Sequence, residues 1–418
     1  MTFRFVHTAD LHLDSPLVSL ALRDPGLAAE VGVASRTALS RIVDLCLSEA
    51  VDALLIAGDL WDGSQSSAKT LRFLKQELTR LSDAGIRCFI LRGNHDAASK
   101  IGKELEPPPG THVFATRPGT ERFEAGGHPI AVHGLSFAEG AQPDSLLPRY
   151  PAPVPGAFNI GMLHTSLNGS PGHDVYAPCR ISELDAHGYD YWALGHIHRR
   201  AEHHGRAVVV MPGIPQGRDI GEAGPASVTL GTLGADGRLV VEERTVAALR
   251  FERLAVDLTG TLDWAEAVGR LGRAIRAAGS APRAEEHLVL RPQLLGPTPL
   301  AFRLARDLDQ LRQEAVACAE TLPRVWIDKL ELSTRGAAEA AATSLPPDLL
   351  RIVTTELPGD PALMATLAGL GRDLVQDLPP ELRDLLGEDE PALERHCAEL
   401  LAEGLAQLLP RLAPGEGG

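Results

Sequence analysis

The chain has 418 residues, of which 44% are hydrophobic and 23% charged, a composition typical of a globular protein with about two to four domains at roughly 100–200 residues each. Its formal net charge of −15 argues against a surface that coats nucleic acid by general positive charge, so a polyanionic substrate would need local attraction. Without an uncharged apolar stretch of about 18 residues, no membrane span is predicted. The N-terminus lacks the pattern of a signal peptide, which predicts a cytoplasmic protein.

Short apolar runs that alternate with helical patterns predict a layered α/β domain over residues 1–248. The predicted strands are Phe3–Val6, Ala53–Ala57, Cys88–Leu91, Pro129–Val132, Phe158–Leu163, Tyr191–Leu194 and Val208–Met211. Between the first three strands, apolar residues at helical spacing predict two helices, one through Leu39 and Cys46 and one through Leu71 and Leu81. Gly85 is expected to end the second helix.

The second half of the chain divides differently. Residues 249–335 follow the order strand, helix, strand, helix, strand, which predicts a small α+β capping domain. Residues 336–347 are rich in Gly and Ala and end in two prolines, which predicts a linker. Residues 348–412 are helical and Leu-rich with one apolar stripe, and residues 413–418 are expected to be disordered. The helical region either packs on itself or binds a partner, and the residues leave both interpretations open.

The chain has five cysteines, which are widely scattered and never arranged as C-x-x-C. They are Cys46, Cys88, Cys179, Cys318 and Cys397. An odd number at irregular spacing, mostly inside apolar or helical patterns, favours core thiols over disulfides or a zinc site.

Polar side chains gather directly after the predicted strands. The clusters are Asp10-Leu11-His12, Gly58-Asp59, Asn94-His95-Asp96, His164 and Gly195-His196-Ile197-His198. Each has an ordinary structural interpretation, since Gly-Asn often forms a turn, Asp often caps a helix, and a single His is more often a core residue than a ligand. Ligands of layered α/β sheets collect at the carboxyl ends of strands, and all the clusters fall there. Their agreement favours one common site.

The spacing within the clusters predicts metal ligation. At an extended strand end, residues i and i+2 point to the same side, so Asp10 with His12 and His196 with His198 can hold ions together. We predict a site for two divalent ions with Asp59 as the bridging carboxylate. The predicted ligands are Asp10, His12, Asp59, Asn94, His164, His196 and His198. Several imidazoles beside carboxylates favour manganese, iron or zinc over calcium and magnesium. Sequence leaves that choice open, and we take manganese as the first candidate.

Such a site predicts phosphoester hydrolysis. Two metals roughly 3.5–4 Å apart lower the pKa of a bridging water and hold the attacking and leaving oxygens of a phosphoryl displacement. Neighbouring side chains point apart, so His95 is free to face the substrate while Asn94 ligates a metal. We expect His95 to donate a proton to the leaving oxygen and Asp96 to hold its imidazole in the charged form.

The ordered blocks "TADLH", "AGDLWD", "RGNHD", "MLHTS" and "GHIH" resemble the calcineurin-like metallophosphoesterases across residues 1–215. The resemblance implies a layered sandwich of two mixed sheets flanked by helices. It also implies the same seven metal ligands and gives His95 the role of proton donor. Within that family, "HTADLHLDSPL", "GDLWD" and the segment "HTSLNGSPGHDVYAPCRISELDAHGYDYWALGHIH" look most like the SbcD-type DNA repair exonucleases, and especially the bacterial YhaO-like branch.

This resemblance implies a DNA exonuclease or endonuclease of DNA repair. It would make the C-terminal helices a docking surface for an SMC-like coiled-coil ATPase, and it suggests a homodimer. One departure is Asp219 in "PQGRD", where related sequences tend to carry His, so contacts with substrate near the metals would differ. Nearby arginines are either phosphate contacts or ordinary solvated charges. They are Arg199, Arg200, Arg206 and Arg218.

Two rival functions stay open. The same metals would support a phosphomonoesterase or a phosphoprotein phosphatase, although a small-molecule phosphatase would not need the large capping and helical segments. A non-catalytic regulatory subunit of the ATPase is the other alternative, and the complete set of predicted ligands argues against it. Aromatic residues make up only 4% of the chain, so extensive base stacking is not expected.

Overall fold

A computed structural model of the protein describes residues 2–15, 32–61, 68–98, 106–167, 176–335, 346–377 and 390–412. The chain divides into two compact units. The first comprises Met1–Glu252 with Pro282–Val289, and the second comprises Arg253–Ala281 with Leu290–Gly418. Most of the predicted linker and all of the predicted disordered tail lie outside the described residues, and the predicted domain boundaries stay predictions.

Two six-stranded mixed sheets form the first unit. One sheet contains, in spatial order, β12 (Leu239–Thr245), β11 (Ser227–Leu233), β1 (Phe3–Thr8), β2 (Ala53–Ala57), β3 (Arg87–Leu91) and β4 (Thr111–Val113). The other contains β5 (Gly119–Ala125), β6 (His128–Gly134), β7 (Phe158–His164), β8 (Tyr191–Gly195), β10 (Val208–Met211) and β9 (Ala201–His204). All seven predicted strands are confirmed, and so is the layered sandwich.

Helices lie beside these sheets. They are α1 (Ala34–Ser48), α2 (Ala68–Asp83), the single turn α3 (Asn94–Ala98) and α4 (Ile181–His187), with 3-10 turns at Leu147–Arg149 and Ile220–Glu222. The predicted apolar faces of α1 and α2 pack against the outward side chains of β1 to β3, and Leu39, Leu78 and Ile56 belong to the same buried core. Burial of each such side chain stabilises the fold by roughly 1.5–3 kcal/mol.

A second core fills the space between the two sheets. Phe5, Leu55 and Phe89 of the first sheet pack there against Ile160 and Tyr191 of the other. The parallel strands β1, β2 and β3 end on the same side, and so do β7 and β8. Since β2 lies against β7 and β8, the carboxyl ends of strands from both sheets meet. The loops that carry the predicted ligands start there.

The second unit contains the α+β segment and the C-terminal helices. Its strands and helices are β13 (Leu249–Asp257, entering from the first unit), α5 (Trp264–Ser280), β14 (His287–Pro297, likewise), α6 (Ala301–Arg306), α7 (Leu308–Glu320), β15 (Val325–Ile327) and β16 (Glu331–Arg335). The predicted single helix after β14 is two helices, because Asp307 leaves helical geometry. The predicted last strand is also two strands. Between them lies Asp328, whose buried carboxylate accepts a hydrogen bond from Arg291.

The C-terminal region is helical, as predicted. It contains α8 (Pro347–Arg351), the π-helical turn Ile352–Glu356, α9 (Pro361–Asp377) and α10 (Glu390–Leu412). The helix α10 packs against α9 and α6, and Leu393, Cys397 and Leu405 of its predicted stripe are buried. Among the helices described, none has the length and apolar character needed to cross a bilayer. Four of the five free thiols are buried, and Cys318 is half-buried.

Candidate metal centre

The loops that follow the strands have unusual backbone geometry. Four of the predicted ligands have positive φ angles, of 54° at Asp10, 40° at His12, 51° at Asp59 and 100° at His196. Each such conformation costs on the order of 1–3 kcal/mol and persists only where its surroundings fix it. Here the first two loops fix each other, because the Asp10 amide donates to Gly58 O at 2.9 Å and the His12 amide donates to Asp59 O at 3.0 Å.

One group of donors consists of Asp10, His12 and His198, whose ligand atoms lie within 4.8 Å of one another. The Nε2 atoms of His12 and His198 are 3.2 Å apart. The backbone amide of His196 donates to both carboxylate oxygens of Asp10, at 3.1 and 2.9 Å. That contact ties the loop after β1 to the loop after β8, so the two sheets share this part of the centre.

A second group consists of Asp59, His164 and His196, again with ligand atoms within 4.8 Å. Nε2 of His164 lies 3.4 Å from Asp59 Oδ2 and 3.0 Å from Asn94 Oδ1. Asp59 also forms a group with His12 and His95, and its Oδ2 lies 4.0 Å from Nε2 of His12. The structure therefore brings all seven predicted ligands together, with Asp59 between the two groups as the sequence predicts. Their role as ligands stays a prediction.

The donor set fits a divalent cation. Nδ1 of His164 lies 3.0 Å from the carbonyl oxygen of Ala57, which can only accept, so Nδ1 carries a proton. In the neutral imidazole, Nε2 then presents a lone pair towards the oxygens of Asp59 and Asn94. Asp10, His12, Asp59 and His164 are at most 2% exposed. Buried lone pairs that face one another are costly without a cation between them, and metal-binding histidines commonly orient their other nitrogen in this way.

Electrostatics agree with this interpretation. Burial alone would raise the pKa of the Asp59 carboxyl, but the imidazoles of His164, His12 and His95 lower it strongly. Burial alone would lower the pKa of His164, but the charge and hydrogen bond of Asp59 raise it to about 9. In the metal-free protein a proton on His164 therefore partly compensates the carboxylate, and a metal ion would displace that proton.

Two glycines let the loops approach this closely. A Cβ on Gly93 would lie 2.3 Å from Oδ1 of Asp59 and 2.8 Å from Nε2 of His164. At Gly58, where φ is +99°, a Cβ would lie 2.4 Å from Nδ1 of His164. A side chain at either position would occupy the space of the donor atoms themselves.

His95 is half-buried at the edge of the centre. Its ring centroid is 4.8 Å from that of His12, and its amide donates to Oδ1 of Asp59 at 3.0 Å. The sequence predicts that Asp96 holds this imidazole, and that role stays a prediction. In the structure its two oxygens accept from the amides of Trp61 and Gly93, each at 3.0 Å. Asp96 thus fixes the loops that carry Asp59 and Asn94, because it is buried among loop amides that need an acceptor. Burial and the charge of Asp59 raise the pKa of Asp96 to about 6.

The predicted substrate-binding arginines are placed unequally. Arg199 and Arg206 are exposed. Arg200 donates to Thr229 Oγ1 at 2.8 Å and pairs with Glu202, which fixes it against the sheet. These contacts give Arg200 a structural role, because its guanidinium connects β11 of one sheet to β9 of the other.

Arg218 pairs with Glu222, a residue that the sequence interpretation missed. Oε1 of Glu222 lies 2.7 Å from Nδ1 of His198. Burial opposes ionisation of Glu222, but His198 and Arg218 lower its pKa to about 2. The one available signal was the i,i+4 spacing of Arg218 and Glu222, which is common on ordinary surfaces.

Two families match the chain. Residues 3–200 match the calcineurin-like phosphoesterases, a range that includes all seven predicted ligands and His95. Residues 251–335 match the middle domain of the metallophosphoesterase YhaO.

Several curated proteins are similar. An uncharacterized metallophosphoesterase YhaO of Bacillus subtilis (strain 168) is 35% identical over 261 residues, or 61% of this chain and 63% of that protein. A DNA double-strand break repair protein Mre11 of Methanopyrus kandleri is 26% identical over 234 residues, or 51% of this chain and 49% of that protein. A subunit of the nuclease SbcCD of Bacillus subtilis (strain 168) is 25% identical over 264 residues, or 54% of this chain and 65% of that protein. The matches thus span less than two thirds of these relatives' lengths.

Proposed function

Since the chain carries a calcineurin-like phosphoesterase domain, we propose that it is a two-metal phosphodiesterase that cleaves DNA, as an exonuclease or endonuclease of DNA repair. The matched family is named for phosphoester hydrolysis, which supports a hydrolase acting on phosphoester bonds. The observation that carries the proposal is the position of Asp59 between two groups of buried donors, with His95 beside them. Relatives named for double-strand break repair and as part of a nuclease support DNA as the substrate.

The residues divide the work as follows. Asp10, His12 and His198 would hold one ion, Asn94, His164 and His196 the other, and Asp59 both. When bound, the two ions would supply an activated water and a positive charge for the phosphate oxygens. His95 lies at the edge of the centre with its ring against His12, where it can donate a proton to the leaving oxygen. Asp96 keeps the loop of His95 in place through the two backbone amides that it accepts from.

Manganese is the metal that we propose, with iron and zinc as alternatives. The mixture of imidazoles, carboxylates and one amide oxygen suits all three. Bound ions also supply the local positive charge that a chain of net charge −15 needs to attract DNA. As a nuclease of cellular DNA, the protein would work in the cytoplasm.

For a partner we propose an SMC-like coiled-coil ATPase bound by the C-terminal helices. A groove of about 380 Å³ runs between α9 and α10 and is lined by Leu370, Leu374 and Leu400 among others. These three side chains are 61%, 53% and 52% exposed, which is unusual for leucines that share one surface. The relative from the nuclease SbcCD is, by its name, one part of a multi-subunit enzyme. A homodimer is part of the same proposal.

The test is cleavage of end-labelled linear duplex DNA by the purified full chain with manganese. The variant His95→Ala and the matched control His112→Ala, on β4 outside the centre, are assayed beside the wild type. We expect the wild type and the control to cleave and His95→Ala to fail. The end that is shortened gives the polarity, and cleavage of a circular single strand would show endonuclease activity.

Three other results would redirect the proposal. The protein could hydrolyse bis(p-nitrophenyl) phosphate but fail to cleave DNA both with and without the ATPase. It would then be a phosphodiesterase whose substrate is not DNA. Hydrolysis of p-nitrophenyl phosphate or a phosphopeptide in preference to the diester would favour the phosphatase alternative. Absence of all hydrolysis at full metal occupancy would favour a regulatory subunit.

A further inference from the structure

Glu222 lies directly behind a predicted metal ligand. Its Oε1 is 2.7 Å from Nδ1 of His198, and both side chains are mostly shielded from solvent, at 13% and 21% exposure. Arg218 holds the carboxylate from the other side. Its amide donates to Oε2 at 2.6 Å, and its guanidinium donates to Oε1 through Nε at 3.0 Å and through one terminal nitrogen at 2.7 Å.

These contacts select one tautomer of His198. Nδ1 has two neighbours, Oε1 of Glu222 at 2.7 Å and a terminal nitrogen of Arg218 at 3.3 Å. The guanidinium can only donate and the carboxylate only accepts, so Nδ1 either accepts a long bond from Arg218 or donates a short one to Glu222. The shorter, charge-assisted bond is the stronger, so Nδ1 carries the proton. Nε2 then presents its lone pair towards His12 Nε2, 3.2 Å away.

The sequence around Glu222 is built to place this carboxylate. Asp219 caps the 3-10 turn Ile220–Glu222, since its Oδ1 accepts from the Gly221 amide at 2.6 Å. Asp219 is exposed and Ile220 buried, so the turn is anchored on one side and capped on the other. Glu222 therefore cannot swing away from His198 without breaking the cap or the pair with Arg218.

From this geometry we infer that Glu222, clamped by Arg218, is a positioning residue that orients His198 and thereby sets the metal affinity of the Asp10–His12–His198 group. The inference rests on the proposed metal centre. In this inference Arg218 holds the carboxylate of Glu222, whereas one interpretation of the sequence is that Arg218 contacts substrate. Outer partners that orient a metal-binding histidine are typically worth about 10–100-fold in metal affinity.

The experiment is manganese binding by the full metal-free chain, measured by titration calorimetry and by electron paramagnetic resonance. The wild type is expected to bind two equivalents and to give the signal of a coupled manganese pair. Glu222→Ala should weaken one equivalent by about 10–100-fold and leave the other unchanged. Glu222→Gln keeps an acceptor for Nδ1 and should stay close to wild type, as should the matched control Glu124→Ala on the exposed face of β5.

The outcomes separate the inference from the proposed function. Two equivalents of unchanged affinity in Glu222→Ala would overturn the positioning role alone. A wild type that binds no manganese pair would overturn the metal centre itself. Equal weakening of both equivalents would mean that Glu222 supports the fold in general, and would also count against the inference. Should Glu222→Ala fail to fold, Arg218→Ala removes the clamp and must weaken the same single equivalent.

Discussion

Nε2 of His164 lies 3.4 Å from Oδ2 of Asp59, although His164 ends a strand of the second sheet and Asp59 belongs to a loop of the first. The centre is therefore built from residues of both sheets. Ions bound there would hold the sheets together as well as bind substrate, so metal binding and stability of the first unit should be coupled.

The substitution Asp59→Asn tests this coupling. It keeps the size of the side chain but removes the charge that both donor groups share, so we expect loss of both metals and of metal-dependent stabilisation. Elemental analysis gives the occupancy, and thermal unfolding with and without manganese gives the stabilisation. Asp83→Asn, an exposed carboxylate at the end of α2, is the control and should behave as wild type. Two bound metals in Asp59→Asn would contradict the bridging role.

His95→Ala should separate catalysis from metal binding. Loss of a general acid typically costs about 10²–10⁴-fold in rate, most for a leaving group that needs protonation. We expect a loss of this size with DNA, whose leaving oxygen is an alkoxide, and a much smaller loss with bis(p-nitrophenyl) phosphate, whose nitrophenolate leaves unprotonated. Both metals should remain in elemental analysis. Equal losses on the two substrates would argue against proton donation.

Gly93→Ala tests how tightly the loops pack around the donors. Its Cβ would lie 2.3 Å from Oδ1 of Asp59, so Asp59 or the loop must move. We expect destabilisation of about 1–3 kcal/mol, typical of overpacking, together with loss of metal. Gly269→Ala within α5 is the control, because helix formation there should gain about 0.5–1 kcal/mol. Normal metal content in Gly93→Ala would show that the centre tolerates a shift of this loop.

Most of the sandwich and its centre could be predicted because buried parallel strands are continuous apolar runs, as Ala53–Ala57 is, and polar residues at their ends stand out. β5 and β12 escaped prediction because these edge strands carry exposed charges that interrupt the apolar run, as Arg122 and Glu124 do in Gly119–Ala125. Contacts between distant segments escaped as well. Asp96 accepts from the Trp61 amide, and Glu222 lies next to Nδ1 of His198. Neither contact produces a recognisable local pattern in the sequence.

The groove between α9 and α10 can be tested by exposed substitutions. Leu370→Glu and Leu374→Glu place charge on side chains that are 61% and 53% exposed, so the fold should be little affected. We expect each to weaken binding of the SMC-like ATPase and to leave hydrolysis of a small phosphodiester unchanged. Pull-down with the purified ATPase measures binding, and Leu262→Glu, 72% exposed before α5, is the control. Unchanged binding by both groove variants would place the docking surface elsewhere.

His7 should make the first unit sensitive to acid. It is fully buried between the sheets, where Nε2 donates to Leu194 O at 3.0 Å and Nδ1 accepts from the Tyr191 hydroxyl at 2.8 Å. Burial lowers its pKa to about 3, although the bond to Leu194 opposes this, and the charge of Arg200 lowers it further. In the unfolded chain the ordinary value is 6.5.

Between pH 6.5 and about 3 the unfolded state therefore binds more protons at this site than the folded state. The contribution of neutral His7 to the free energy of unfolding is thus present above pH 6.5. It decreases as the pH is lowered, by about 2 kcal/mol at pH 5. Urea unfolding in the presence of a chelator should show a smaller drop from pH 7 to pH 5 in His7→Gln than in wild type or in the control His204→Gln. Equal drops in all three proteins would mean that His7 is protonated in the folded state or that its site opens before the unit unfolds.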